Sequence, residues 1–287
     1  MNMKKNILMV LGIATAMLPN LSCKKEKDNG SGVKAVFSYV ADGYKVNFTD
    51  YSTNAKEYLW EFGDTSTSTL LNPIHVYHSK GEFLAKLTVK NGQETNTFID
   101  TVFVAGPNIK IDGDFTDWTY VDFSNVAEAG NGGTLLGVKT FASGANLNFY
   151  LEGTADFNLA IVDMYLDADN NPATGFQYWA YPVASGAEYL LEGSAPGGWG
   201  DVFIHTGGDN DGWSWDAVST FDEMVKFSEI KSADGKKAVE FSIKREGLGV
   251  LKNYVNFAIQ ESTEAYTVIG SIPVAELPTS EFAKIKL

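Results

Sequence analysis

Between Phe176 and Trp215 the sequence places Tyr178, Trp179, Tyr181, Tyr189, Trp199, Trp213 and Trp215, so four of its six tryptophans fall within 40 residues. Gly186, Gly193, Gly197, Gly198, Gly200, Gly207, Gly208 and Gly212 are interleaved with them. Glycine at that density suits loops projecting from a scaffold better than a packed element. Sugars present apolar C–H faces that match an aromatic plane, and hydroxyl edges that match Asp and Asn side chains. Asp201, Asp209, Asn210 and Asp211 stand ready as those polar partners. The candidate ligand-binding residues are therefore Trp179 and Trp199 first, then Tyr178, Tyr181, Trp213, Trp215, Asp201 and Asp209. Two or three of the seven rings are expected to face solvent, because the rest must pack a core. Trp213 and Trp215 alternate on an expected strand and share one face, which serves either binding or core.

A second cluster joins Asp163, Asp167, Asp169, Asn170 and Asn171. Oxygen ligands at close spacing suit calcium, which takes about 6–8 of them. The run from Asp167 to Asn171 begins like an EF-hand loop and then departs. Pro172 stands where the glycine belongs, Tyr178 stands where the bidentate glutamate belongs, and a strand precedes the run. That excludes an EF-hand. Asp163, Asp167, Asp169 and Asn171 remain a strand-end calcium candidate, evenly balanced against a solvated turn whose side chains cap backbone groups.

Signatures of catalysis are missing. The chain has no G-x-S-x-G, H-E-x-x-H, P-loop or G-x-G-x-x-G. Its three histidines, His75, His78 and His205, read as structural: the first two point to opposite faces of a strand, and the third has no Cys or His nearby. Met164, Met224 and His205 show no spacing that favours haem. Carboxylates for glycoside hydrolysis are abundant, but no feature locates a placed pair. The chain is expected not to be an enzyme, and no cofactor beyond that calcium candidate is indicated.

The elements that must position these residues are short alternating segments. Lys34–Tyr39, Tyr44–Phe48, Glu57–Phe62, Glu82–Val89 and Thr97–Val104 follow one another, separated by glycine-bearing turns. That patterning predicts a small antiparallel sandwich, with Trp60 and Phe62 pointing inward from one strand face. Tyr58-Leu-Trp-Glu-Phe-Gly-Asp, then Asn72-Pro-Ile-His-Val-Tyr and Gly81-Glu-Phe, closely resemble the PKD domain. The resemblance covers residues 33–105 and implies an immunoglobulin-like β-sandwich acting as a spacer or interaction unit.

Ala105-Gly106-Pro107 is a natural linker. Residues 108–287 open with Ile109-Lys-Ile-Asp-Gly-Asp-Phe-Thr-Asp-Trp, which resembles the family 9-like carbohydrate-binding modules and their DOMON-type relatives, also β-sandwiches. Gly137–Ala142 and Leu147–Leu151 fit that family's hairpin, and Ala238–Lys244 and Asn253–Glu261 fit its closing strands. Trp118 reads as a core plug beside the opening turn, which Asp112, Asp114 and Asp117 organise through backbone hydrogen bonds. The expected fold class is all-β: two β-sandwiches in tandem, an immunoglobulin-like PKD domain and then a larger CBM9-like/DOMON-type sandwich.

Residues 1–22 carry Lys4, Lys5 and the apolar run Ile7–Leu18, too short to span a bilayer. The run ends at Cys23, the one cysteine, in an arrangement that resembles a bacterial lipoprotein signal with Asn20 as its one departure. The resemblance implies lipidation of Cys23 and display on the outer membrane at the cell surface. Residues 23–32 read as a flexible tether. Loss of residues 1–22 takes the formal charge from −14 to −16, and Arg245 is the one arginine. Such a balance argues against nucleic acid and against an anionic membrane face, leaving attachment to the lipid. The expected function is non-catalytic capture of polysaccharide or oligosaccharide at the cell surface, with other surface glycan-uptake proteins as further partners. A structural or adhesion protein that binds another protein is the first alternative. An accessory or cryptic glycoside hydrolase is the second.

Overall fold

The computed structural model of the chain describes residues 32–287 apart from 129 and 209, so Cys23 and Asp209 lie outside the described residues. The first module contains β1 (Phe37–Asp42), β2 (Lys45–Asp50), β3 (Glu57–Glu61), β4 (Thr67–Ser68), β5 (Ile74–Val76), β6 (Gly81–Asn91) and β7 (Glu94–Val104). They form two antiparallel sheets, ordered β1-β2-β5 and β4-β3-β6-β7. Alternation fixes which side faces in: on β6, Ala85, Leu87 and Val89 are buried while Leu84 and Lys90 are exposed.

Trp60 and Phe62 do point inward, stacked with centroids 6.5 Å apart. The Trp60 indole N–H donates to the Leu70 carbonyl and the Tyr77 hydroxyl to the Phe62 carbonyl, so both buried polar atoms are satisfied. Gly63 adopts φ +87°, and a Cβ there would meet the Leu84 carbonyl oxygen at 2.8 Å. Only glycine fits this turn. His75 stacks on Phe62 at 4.2 Å and its Nε2 lies 2.6 Å from Asp64, while His78 contacts Asp122 across the boundary between the modules. The two histidines engage separate carboxylates and form no shared site. Tyr44 packs edge-on against Phe141, tying the modules together.

The second module contains β8 (Phe123–Val126), β9 (Leu135–Ala142), β10 (Asn146–Gly153), β11 (Ile161–Asp167), β12 (Tyr189–Ser194), β13 (Trp199–His205) and β14 (Trp215–Thr220). It continues with β15 (Val225–Phe227), β16 (Lys231–Ala233), β17 (Lys236–Lys244), β18 (Tyr254–Ser262), β19 (Val268–Ile272) and β20 (Ala283–Lys286). One sheet runs β15-β17-β10-β9-β8 with β16 also on β17; the other runs β14-β13-β12-β11-β18-β19 with β20 also on β18. The fold is therefore two β-sandwiches in tandem. Between the second pair of sheets lie Leu147, Phe149, Leu151, Val162, Met164, Leu166, Phe241 and Phe257, where burying each side chain is worth roughly 2–3 kcal/mol.

The opening segment of this module lies on the outer side of its first sheet. Trp118 is fully buried there, and its indole N–H donates to Glu240 Oε2 at 2.9 Å. Glu240 Oε1 accepts the backbone N–H groups of Asp112 and Gly113. Asp112, Asp114 and Asp117 accept from Asp114 N, Thr116 N and Lys110 N, the turn-building role expected of them. A second buried glutamate, Glu261, likewise accepts the N–H groups of Asn158 and Leu159.

The glycine-rich stretch from Phe176 to Trp215 is not one projecting loop: β12 and β13 run through it as inner strands of the seven-stranded sheet. The reason lies in Gly193 and Gly200, which face each other across these strands. Cβ atoms there would collide with the Phe221 ring at 2.7 and 2.6 Å, so these glycines make room for a side chain and do not loosen the backbone.

Candidate functional site on the outer face of the seven-stranded sheet

On β11 the even-numbered side chains enter the core, so Ile161, Asp163, Tyr165 and Asp167 face outward. Register extends each position into a row across the sheet. Asp163 pairs with Glu192 and Gln260, Glu192 pairs with Asp201, and Gln260 pairs with Ser271. Five polar side chains thus cross five adjacent strands, a span of about 19 Å at normal strand spacing. One row further along lie Phe203, Leu190, Tyr165 and Ala258, which the segment 176–187 and Phe282 cover as a small second core. The polar row runs along that cover, with its Gln260 and Ser271 end buried beneath it, where Ser271 Oγ accepts Ala275 N.

On its other side is a hollow of about 580 Å³ lined by Ile161, Ser194, Pro196, Trp199, Glu264 and Tyr266, among others. Trp199 is 48% exposed and Tyr266 57% exposed. Tyr266 holds φ +59°, where a bulky side chain costs on the order of 1–3 kcal/mol and persists only when its surroundings impose it. Its hydroxyl is held above its ordinary value by the Glu192 carboxylate first, then by burial and by Asp163. On the covered side, Tyr178 donates its hydroxyl proton to Gln260 Oε1 at 2.9 Å, with the Trp179 ring set edge-on behind it.

Asp163 is 9% exposed, and burial with the neighbouring Glu192 carboxylate pushes its carboxyl up to about 7. Its Oδ1 is buried with no hydrogen-bond donor among the described residues. No lysine or arginine among the described residues forms an ion pair with Asp163, Glu192 or Asp201.

The aromatic candidates separate into distinct environments. Trp179 (69%), Trp213 (62%) and Trp199 are exposed, within the two or three of seven expected. Trp213 sits apart, against Phe176 and Trp215, and Trp215 is half-buried against Phe176 and His205. Tyr178 is half-buried. Tyr181 is not a ligand-facing residue: it is 1% exposed, packed on Phe282, and its hydroxyl donates to the Pro273 carbonyl. The covering segment needs a buried ring there to adhere to the sheet. Asp201 is exposed at the end of the polar row. His205 Nε2 lies 2.7 Å from the Gly212 carbonyl, in keeping with a structural histidine.

The acidic cluster also divides. Asp163 stands two rows, roughly 13 Å, from Asp167 and does not join it, because strand residues four apart share a face without touching. Asn171 builds the turn: its side chain accepts Ala173 N and its own N–H goes to Asp167 Oδ1. The carboxylates that converge are Asp167, Asp169 and Glu188, with one oxygen of each within 4.8 Å of the others. Glu188 immediately precedes β12, the strand next door, and also accepts Ala168 N at 2.9 Å. Burial first, with the charges of Asp169 and Asp167 added, raises its carboxyl to about 7.

Sequence reasoning missed Glu188, Glu192, Gln260 and Tyr266, and gave Asp163 a different role. One signal was present: Asp163 interrupts the apolar run 161–166, and Glu192 is the one acid of β12. Tyr266 left none, since its place depends on how the β18–β19 turn folds over the sheet.

Residues 36–105 match the family model described as the PKD domain. The chain is 52% identical over 44 residues to collagenase ColA of Bacillus cereus, which is 15% of this chain and 5% of that protein. It is 39% identical over 67 residues to collagenase ColQ1 of the same species, 23% of this chain and 6% of that protein. The chain thus spans about a twentieth of the length of these curated relatives. Among solved structures, the PKD1 domain of Vibrio anguillarum Epp is similar at 30% identity, covering 26% of this chain and 96% of that one, with TM-score 0.25. A family 9 carbohydrate-binding module from Caldicellulosiruptor kristjanssonii in complex with cellotriose is similar at 14% identity, covering 63% of this chain and 89% of that one, with TM-score 0.36.

Proposed function

We propose that the second module is a non-catalytic glycan-binding head and that the first is a spacer holding it away from a lipid-anchored Cys23 on the outer cell surface. The observation that carries this reading is the polar row Asp201–Glu192–Asp163–Gln260–Ser271 lying beside the exposed rings of Trp199 and Tyr266. Rings supply planes for apolar sugar faces, and the row supplies hydrogen-bond partners for hydroxyl edges. Asp201 is exposed and Glu192 half-buried, while Asp163, Gln260 and Ser271 are buried, so a ligand meets the row from its Asp201–Glu192 end. Asp163 and Glu192 stand side by side on one rung, whereas hydrolysis requires carboxyls on opposite sides of the bond to be cleaved. Many weak contacts on one surface then add up through multiple copies.

Affinity electrophoresis against a panel of soluble polysaccharides tests it. The wild type is expected to be retarded by at least one polymer. Trp199→Ala is expected to lose most of that retardation, the Trp179→Ala/Trp199→Ala pair all of it, and no new reducing ends are expected. An unretarded wild type across the panel overturns the reading in favour of a protein-binding surface.

The same reading assigns a structural calcium ion to Asp167, Asp169 and Glu188, pinning the segment that covers the sheet. Millimolar calcium is expected to raise the melting temperature of the second module by about 5 °C in the wild type and not in Glu188→Gln. An unchanged wild type removes the ion and leaves the turn.

A further inference from the structure

The head proposed above has a feature that a neutral sugar does not explain. Asp201, Glu192 and Asp163 place three acids at consecutive positions of one row, with no protein cation paired to any of them among the described residues. Asp163 is nine-tenths buried, and its Oδ1 has no donor. Removing a carboxylate from water without a partner is costly, and elsewhere this fold avoids it: the buried Glu240 and Glu261 each receive three donors. The exception faces the outer side of the sheet beside exposed rings, and rings attract cations through their faces.

We propose that this row recognises a glycan carrying protonated amino groups, with an ammonium held between Asp163 and Glu192 and the sugar ring lying on Trp199 and Tyr266. An ammonium supplies what the site lacks. It brings a donor to the orphaned Oδ1 and a positive charge that favours the ionised form of Asp163, whose carboxyl burial otherwise holds up near 7. A hydroxyl supplies a donor and leaves the charge. Within the glycan-binding reading, on which this inference rests, the ligand class narrows from any sugar chain to one whose units bear free amines.

Titration calorimetry of the full chain with three hexamers tests it: β-1,4-linked glucosamine, its N-acetylated form and the glucose hexamer, at pH 6.5 and about 0.15 M salt to screen distant charges. The glucosamine hexamer is expected to bind at least tenfold tighter than the other two. Asp163→Asn and Glu192→Gln are each expected to bring that preference to within about twofold, while melting curves report whether they fold. Glu57→Gln/Glu82→Gln removes two exposed charges from the first module and is expected to leave the preference intact, which separates the site from general attraction to an acidic protein. Equal or tighter binding of the neutral hexamers overturns amine selection and leaves glycan binding standing. A preference that survives both single variants also overturns it, as does a lysine pentamer that binds as tightly with the same dependence on Asp163. If no hexamer and no polysaccharide of the wider panel binds, both readings fall together.

Discussion

Replacement of Glu240 by alanine is expected to destabilise the second module by about 4 kcal/mol. The side chain is fully buried and accepts three N–H donors, from Asp112, Gly113 and the Trp118 indole. Truncation orphans all three where water cannot reach them, at about 1–3 kcal/mol for each unsatisfied group, partly relieved as the segment loosens. Glu240→Gln keeps the volume but turns an NH2 toward donors that need an acceptor, and is expected to cost roughly half as much. Urea unfolding followed by fluorescence and near-ultraviolet dichroism checks this. The transition of the second module should move to lower denaturant, with the first module, reported by Trp60, unmoved. A midpoint shifted by less than the equivalent of about 1 kcal/mol in Glu240→Ala would show that the opening turn is held by its own Asp side chains and by Trp118 packing alone.

That turn shows how far the sequence could be read. Its local chemistry was legible, because Asp112, Asp114 and Asp117 cap groups within a few residues of themselves. The inward pairing of Trp60 with Phe62 was legible for the same reason, since strand alternation is a local rule. Glu240 was not, because it meets the turn from more than 120 residues away along the chain.

The binding face divides along the same line. Exposed rings at Trp179 and Trp199 followed from composition and neighbouring turn residues. Strand β12 hid behind Gly193, which with Gly200 of β13 makes room for Phe221, a purpose visible only once the two strands are paired. Asp163 was noticed as an acid near Asp167. Its true neighbours, Glu192 and Gln260, are set by register between strands far apart in sequence. Glu188 replaced Asp163 in the acidic cluster for that reason. Spacing along one strand says which residues share a face; the neighbouring strands say which of them touch.

Substituting asparagine for Asp163 is expected to stabilise the protein at pH 8 by roughly 2 kcal/mol and to have little effect at pH 4. Its carboxyl is raised from an ordinary 3.8 to about 7, by burial first and by Glu192 second, so the folded state favours the protonated form. That contribution is fully present below the unfolded value and is lost as pH rises through the folded one, so wild-type stability should fall between about pH 4 and pH 7. A shift of this size corresponds to about 4 kcal/mol at 1.36 kcal/mol per unit, and roughly half is expected to appear because the asparagine amide is itself buried there at a cost. Glu188, raised to about 7 in its own cluster, contributes to the same slope and remains in the variant, so the slope should shrink and not vanish. Urea midpoints at pH 4, 6 and 8 measure it, and an equal gap at all three would contradict the account. A residue whose removal improves stability while abolishing selection for amines is kept at a cost to the fold, as binding and active sites characteristically are. The pairing of these two results in one variant separates a ligand-facing acid from a merely tolerated one: a tolerated acid would raise stability when replaced and leave ligand preference where it was.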